Sequence, residues 1–290
     1  MAEPILMHGP HGRQSVPQGE ARRPAGRIWL IAGTGEGPPL AQALLARGWR
    51  LKVSLVSRGA ALAYGHHPDQ ELAVGAIGGA DGPEAGVTAE LTAARERGEP
   101  YRWVIDATHP FATRISAALA SACAALEQPL LRLHRPDLGP GGATPLADLA
   151  DLGSRCRPGE RLLLAIGARR LAEAVAASPQ ALHHARLLPS REALAGALAA
   201  GLDPRRLAPL RPTADGGLER ALCRHWGIET VLSRRSGGTN EAHWHRICDE
   251  LGLRLLLLER PPEPLGLEVL PLQHLLERLG QSGDPGGSRG

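Results

Sequence analysis

Lysine is almost missing from this chain of 290 residues: Lys52 is the only one, so nearly every positive charge is a guanidinium. A guanidinium neither attacks as an amine nor shuttles protons near neutral pH. A P-loop and a lysine Schiff-base site therefore lose their usual residue, and no Tyr-x-x-x-Lys reductase pair is present. Aromatic residues make up only 3%, with Phe111 the single phenylalanine, and the formal net charge is +3. No basic run interleaved with aromatics occurs, which argues against a nucleic-acid partner. The four cysteines, Cys123, Cys156, Cys223 and Cys248, are scattered without a C-x-x-C. Buried free thiols in a reducing cytoplasm are the expectation. No stretch reaches the ~18 apolar residues of a transmembrane helix, so no membrane is expected as partner. Residues 1–26 are polar, rich in Pro and Gly, and lack the apolar run of a secretory signal. They read as a disordered extension, and residues 281–290 as a disordered tail.

What the chain does have is rhythm. Apolar runs at 27–32 (RIWLIA), 51–56 (LKVSLV), 71–77 (ELAVGAI), 102–106 and 129–135 (PLLRLHR) alternate with Ala/Leu-rich helical patterns. The helices are expected over 38–48, 84–97 and 111–126. A Pro/Gly-rich break at 135–145 follows, and the rhythm restarts with strands at 161–167, 185–189, 206–210, 229–233 and 253–259. The run at 253–259 is the last clear strand, and Ser190 is expected to open a helix. Continuously apolar strands spaced by helices predict parallel sheets covered on both faces. The expectation is an α/β chain of two mainly parallel sheets flanked by helices, with a cleft between them. The first domain spans 27–137 and the second 138–280.

Three places at predicted strand ends carry chemistry. At 30–39 (LIAGTGEGPP), Gly33, Gly35 and Gly37 allow a close backbone approach to an anion at a helix N-terminus; a tight turn without ligand is the plain alternative. The second strand ends in Ser57-Arg58 where an NAD-binding unit usually carries an acid for the ribose hydroxyls. An arginine there suits a 2′-phosphate, or is an ordinary surface charge. The third place, 103–116 (WVIDATHPFATRIS), sets Asp106, Thr108, His109 and Pro110 where a strand meets a helix. Thr108 or His109 is placed to cap that helix and Pro110 to open it. A cap does not explain the imidazole. The pairs His66-His67, His183-His184 and His243-x-His245 lack the third ligand of a catalytic zinc site, and no metal is expected.

These segments, together with LLRLHRP (130–136), LLLAIGARRL (162–171), ARLLP (185–189), VLSRRSGG (231–238) and LLLLERP (255–261), resemble the precorrin-6A reductase family of cobalamin biosynthesis. The order of the motifs is the family's, across residues 28–262. The resemblance implies two Rossmann-like domains with NADPH in the cleft, and hydride transfer to carbon that converts precorrin-6A, or its cobalt complex, into precorrin-6B. It implies cofactor contacts at Gly33, Thr34, Gly35, Glu36, Ser57, Arg58, Thr108 and Pro110, and catalytic roles for His109 and Asp106. His109 would orient the nicotinamide or supply a proton. Carboxylates fringing the macrocycle would meet Arg132, Arg135 and Arg234, beside Ser236 and Gly237. Intermediates are expected to be handed to neighbouring pathway enzymes. The chain departs from the family's pattern at Ala118, Arg211-Pro212-Thr213 and Trp244. Two other readings fit the architecture: a cofactor-free tetrapyrrole-modifying enzyme built like uroporphyrinogen synthase, and a dinucleotide-sensing module without turnover.

Overall fold

A computed structural model describes residues 26–213 and 215–281. The extension expected at 1–26 and the tail expected at 281–290 lie outside these residues, except that Gly26 opens the first strand and Gln281 closes the last helix. The first half runs β1 (Gly26–Ala32), α1 (Gly37–Leu45), β2 (Trp49–Leu55), α2 (Arg58–Ala61), β3 (Gln70–Val74), α3 (Pro83–Glu96), β4 (Trp103–Ala107), α4 (Thr113–Ala125) and β5 (Leu130–Leu133). The second half runs β6 (Thr144–Leu146), α5 (Leu152–Arg155), β7 (Arg161–Leu164), α6 (Leu171–Ala177), β8 (Leu182–Leu187), α7 (Arg191–Ala199) and β9 (Leu207–Pro209). It continues with α8 (Gly217–Trp226), β10 (Thr230–Arg234), α9 (Thr239–Leu251) and β11 (Arg254–Leu258), and the chain ends in β12 (Glu268–Leu270) and α10 (Leu272–Gln281).

Period-two geometry makes each strand serve two cores. In β1, Ile28, Leu30 and Ala32 face α1 and α10, whereas Trp29 and Ile31 face α3 and α4. The helices answer with apolar residues one turn apart, such as Val87, Leu91 and Ala94 along α3. The second sheet repeats the scheme, with Leu162 and Leu164 on one face and Leu163 on the other. This is the two-faced burial that continuously apolar strands predict.

The sheets are wholly parallel, ordered β12-β5-β4-β1-β2-β3 and β6-β11-β10-β7-β8-β9. Each has the doubly wound order, with its two windings diverging from β1 or β7. The edge strands are exchanged. β6 follows the first sheet in sequence but pairs with β11, and β12 follows the second sheet but pairs with β5. The expected second domain of 138–280 is corrected accordingly: residues 268–281 complete the first unit. Leu275 and Leu279 of α10 are fully buried in the first core, which is the physical reason the tail returns. The break at 135–145 likewise contains the start of a strand rather than only a linker. Leu275→Ala is expected to cost about 2–5 kcal/mol, measured as a lowered midpoint of chemical unfolding.

Arg260 fastens the two crossing segments. Its guanidinium donates to the carbonyls of Arg235 (2.9 Å), Arg135 (3.0 Å) and Pro136 (2.8 Å). Arg235 adds ion pairs to Asp137 and Glu259.

Candidate active site

The carboxyl ends of both sheets face one another, the edge at which open parallel sheets bind ligands. Glu36 after β1 meets Arg135 after β5 at 2.5 Å, and Arg135 also donates to the carbonyl of Ser236 after β10 (3.4 Å). Phe111 after β4 packs against the second core, and the Arg234 guanidinium lies 5.3 Å from its ring centre. The cleft is therefore lined by both units.

The Asp-Ala-Thr-His-Pro loop is built around a buried ion pair. Asp106 has no exposed surface; one carboxylate oxygen accepts from the Thr108 backbone N–H at 2.9 Å and the other pairs with Arg132. Arg132 also donates to the Ser116 hydroxyl at 2.8 Å and lies 2.5 Å from the Glu263 carboxylate in the returning segment. These contacts correct two expectations. Asp106 is sealed from any reacting atom, so it positions the loop rather than the substrate, and Arg132 is spent on internal acids rather than on a ligand's. Asp106→Asn is expected to cost about 3–5 kcal/mol of stability, as breaking a buried pair does. A normal melting temperature with lost turnover would instead restore a catalytic role.

The capping expectation also changes. α4 starts at Thr113 behind Ala112, with no side-chain cap, three residues beyond the buried Pro110. The Thr108 hydroxyl lies 3.4 Å from the Ser116 hydroxyl instead, joining the loop to α4 from the side.

His109 is the polar side chain of this loop that remains available. Its Nδ1 accepts the Phe111 backbone N–H at 3.2 Å, so the neutral ring carries its proton on Nε2. Burial pushes its pKa down to about 2, reinforced by the charges of Arg234, Arg135, Arg260 and Arg132. The imidazole is thus an uncharged hydrogen-bond donor at neutral pH.

Arg234, the last residue of β10, is a second available group in the cleft. It has no carboxylate partner among the described residues, and its Nε is buried without a hydrogen bond. Burial, with the charges of Arg186, Arg135, Arg169 and Arg170, pushes its pKa down to about 10. Arg186 is itself buried, 3.5 Å from Glu219. Several guanidiniums thus converge on too few acids. Sequence reasoning missed Arg186 because it sits inside the apolar ARLLP segment, and Phe111 because it is apolar beside the polar residues of its motif.

Other expected substrate contacts have burial or partners within the fold. Ser236 and Gly237 are buried, and Gly237 sits at φ +69°, where an added Cβ would stand 2.1 Å from the Pro136 carbonyl. Arg135 is committed to Glu36, which in turn limits Glu36 as a cofactor contact. At the glycine turn, Thr34 donates to the Ala107 carbonyl at 3.4 Å, bracing the turn against β4. Gly37 is tight, since a Cβ would lie 2.1 Å from the Tyr64 hydroxyl; Gly33 and Gly35 have nothing within 4 Å and no positive φ. At the end of β2, Ser57 caps α2 through the Ala60 N–H (3.3 Å), and Arg58 is exposed without an ion-pair partner among the described residues. Among those residues there is no group of three side chains suited to a metal ion, and no helix long and apolar enough to cross a membrane.

Two doubly wound parallel sheets, a glycine turn at one carboxyl edge and arginines at the other define a two-domain Rossmann-type enzyme. The profile of the precorrin-6x reductase CbiJ/CobK family matches residues 27–279. A cobalt-precorrin-6A reductase of Synechocystis sp. is 31% identical over 242 residues, covering 81% of this chain and 88% of its own. A precorrin-6A reductase of Rhodococcus erythropolis is 32% identical over 259 residues, covering 84% and 93%. The solved structure of a CobK precorrin-6A reductase matches with a TM-score of 0.69 at 27% identity, covering 89% of this chain and 97% of that one. The chain belongs to the precorrin-6x reductase family and is an oxidoreductase of cobalamin biosynthesis.

Proposed function

We propose that the chain uses NADPH to reduce one double bond of precorrin-6A, metal-free or as its cobalt complex, giving precorrin-6B. The observation that carries this reading is Arg234: a half-buried guanidinium whose Nε is buried without a hydrogen bond, with no acid partner among the described residues and further guanidiniums nearby. Such an arrangement is costly while empty and becomes favourable when carboxylates enter. A macrocycle fringed with acetate and propionate groups supplies them. Gly33 and Gly35 support the coenzyme. Neither the backbone conformation nor any neighbour requires glycine there, whereas a pyrophosphate lying against the turn would. The unpaired Arg58 suits a 2′-phosphate.

When bound, the reduced nicotinamide supplies the hydride. The chain's own part is to align the two reactants and exclude water. His109, neutral and donating from Nε2, orients a carbonyl or ring atom beside it; a proton donor would need a charge that the surrounding arginines oppose. Asp106, Arg132 and Thr108 hold the loop that presents His109.

Anaerobic incubation with precorrin-6A and NADPH is expected to give a loss of absorbance at 340 nm that depends on both. Coenzyme binding without oxidation would identify a sensor; neither binding nor oxidation would fit a cofactor-free enzyme. Arg58→Ala is expected to raise the KM for NADPH about tenfold with little change for NADH, on the order of one charge-assisted contact. Equal losses for both coenzymes would remove Arg58 from the phosphate.

A further inference from the structure

Arg211 follows β9 in the second unit and Gly59 lies in α2 of the first, yet the two touch across the cleft. A Cβ built on Gly59 would stand 2.2 Å from Arg211 Nη2 and 3.0 Å from its Cζ. Gly59 has no positive φ, so its backbone does not ask for glycine. The space is taken by the guanidinium. Arg58 is the residue immediately before Gly59. Both arginines are exposed, and neither has an ion-pair partner among the described residues. Arg211 of the second unit is thus brought against the short α2 segment that begins with Arg58 of the first, and neither has an acid partner among the described residues. Like charges brought together repel unless an anion joins them.

We infer that Arg211 is a second determinant of coenzyme choice, reaching from the second unit to the 2′-phosphate that Arg58 meets from the first. The inference rests on the NADPH reading above. A phosphate dianion accepts from two guanidiniums at once, each in a forked geometry. The ribose hydroxyls of NADH offer neither the charge nor the acceptors. Because the two arginines belong to different units, the phosphate also ties the units together across the cleft. NADH leaves that corner repulsive.

The test is calorimetric titration of the full chain with NADP⁺ and NAD⁺, which differ by the 2′-phosphate alone. Wild type is expected to prefer NADP⁺, and Arg211→Met to lower that preference about tenfold. Gly59→Ala keeps both arginines but puts a methyl group where the Arg211 guanidinium lies, and is expected to lower the preference in the same direction. If Arg211→Met keeps the wild-type ratio, or Gly59→Ala does, the inference is overturned while the NADPH reading stands. If wild type binds NADP⁺ and NAD⁺ equally, the NADPH reading fails and takes the inference with it.

Discussion

His109→Ala is expected to lower kcat on the order of 10²-fold, the scale of one positioned hydrogen-bonding or acid–base group, while NADP⁺ affinity stays near the wild-type value. His109→Gln separates the two roles open to the imidazole. Glutamine keeps a neutral N–H donor and cannot serve as an acid. Partial recovery of kcat in His109→Gln matches the neutral ring found in the cleft; a variant as slow as His109→Ala would point to proton donation. A second readout comes from stability. In the unfolded chain the imidazole titrates near 6.5, whereas burial and the nearby arginines hold it down to about 2 in the fold. Acid therefore favours the unfolded state, which takes up the proton that the folded state refuses. The penalty begins as pH falls through the unfolded value and reaches about 2 kcal/mol at pH 5. His109→Gln is expected to remove that share of the acid sensitivity, seen as a smaller difference in melting temperature between pH 7.5 and pH 5.

Arg234→Met should produce opposite effects on function and stability. Losing the guanidinium that awaits a substrate carboxylate is expected to lower kcat/KM for precorrin-6A on the order of 10²- to 10³-fold, as truncation at a desolvated charge pair does. The same change removes a half-buried charge that partial burial and neighbouring arginines already disfavour. Methionine fills similar volume beside Phe111, so the melting temperature is expected to rise by about 2–4 °C, the shift that ~1 kcal/mol gives at this chain length. A fall in melting temperature with unchanged KM would make Arg234 a structural cation stacked on Phe111. A site that costs stability for the sake of a ligand is a common trade in enzymes.

The sequence made much of this arrangement legible, and the exceptions have physical causes. Strands such as RIWLIA and LKVSLV declare themselves because burial on both faces requires an unbroken apolar run. β12 does not: Glu268–Leu270 is three residues at a sheet edge, with partial burial, and carries almost no pattern. Its exchange with β6 is invisible locally, since pairing partners are set by packing of Leu275 and Leu279 far along the chain. The site was legible as a place more than as a set of roles. The Asp-Ala-Thr-His-Pro segment does stand at the cleft. Which of its polar residues are available depends on partners distant in sequence: Arg132 for Asp106, Ser116 for Thr108, and, among the described residues, none for the Nε2–H of His109. Residue type alone could not divide Arg132, Arg135 and Arg234 into two paired guanidiniums and one without an acid partner among the described residues. The contact between Arg211 and Gly59 escaped for the same reason, because a glycine missing a neighbour's space leaves no trace in one sequence.

A crystal structure of the chain grown with NADP⁺ bears most directly on how the cleft works. The pyrophosphate is expected against Gly33 and Gly35, with the nicotinamide ring beside His109 and open on its other face toward Arg234. A coenzyme bound elsewhere, or a nicotinamide remote from residues 106–110, would contradict the account.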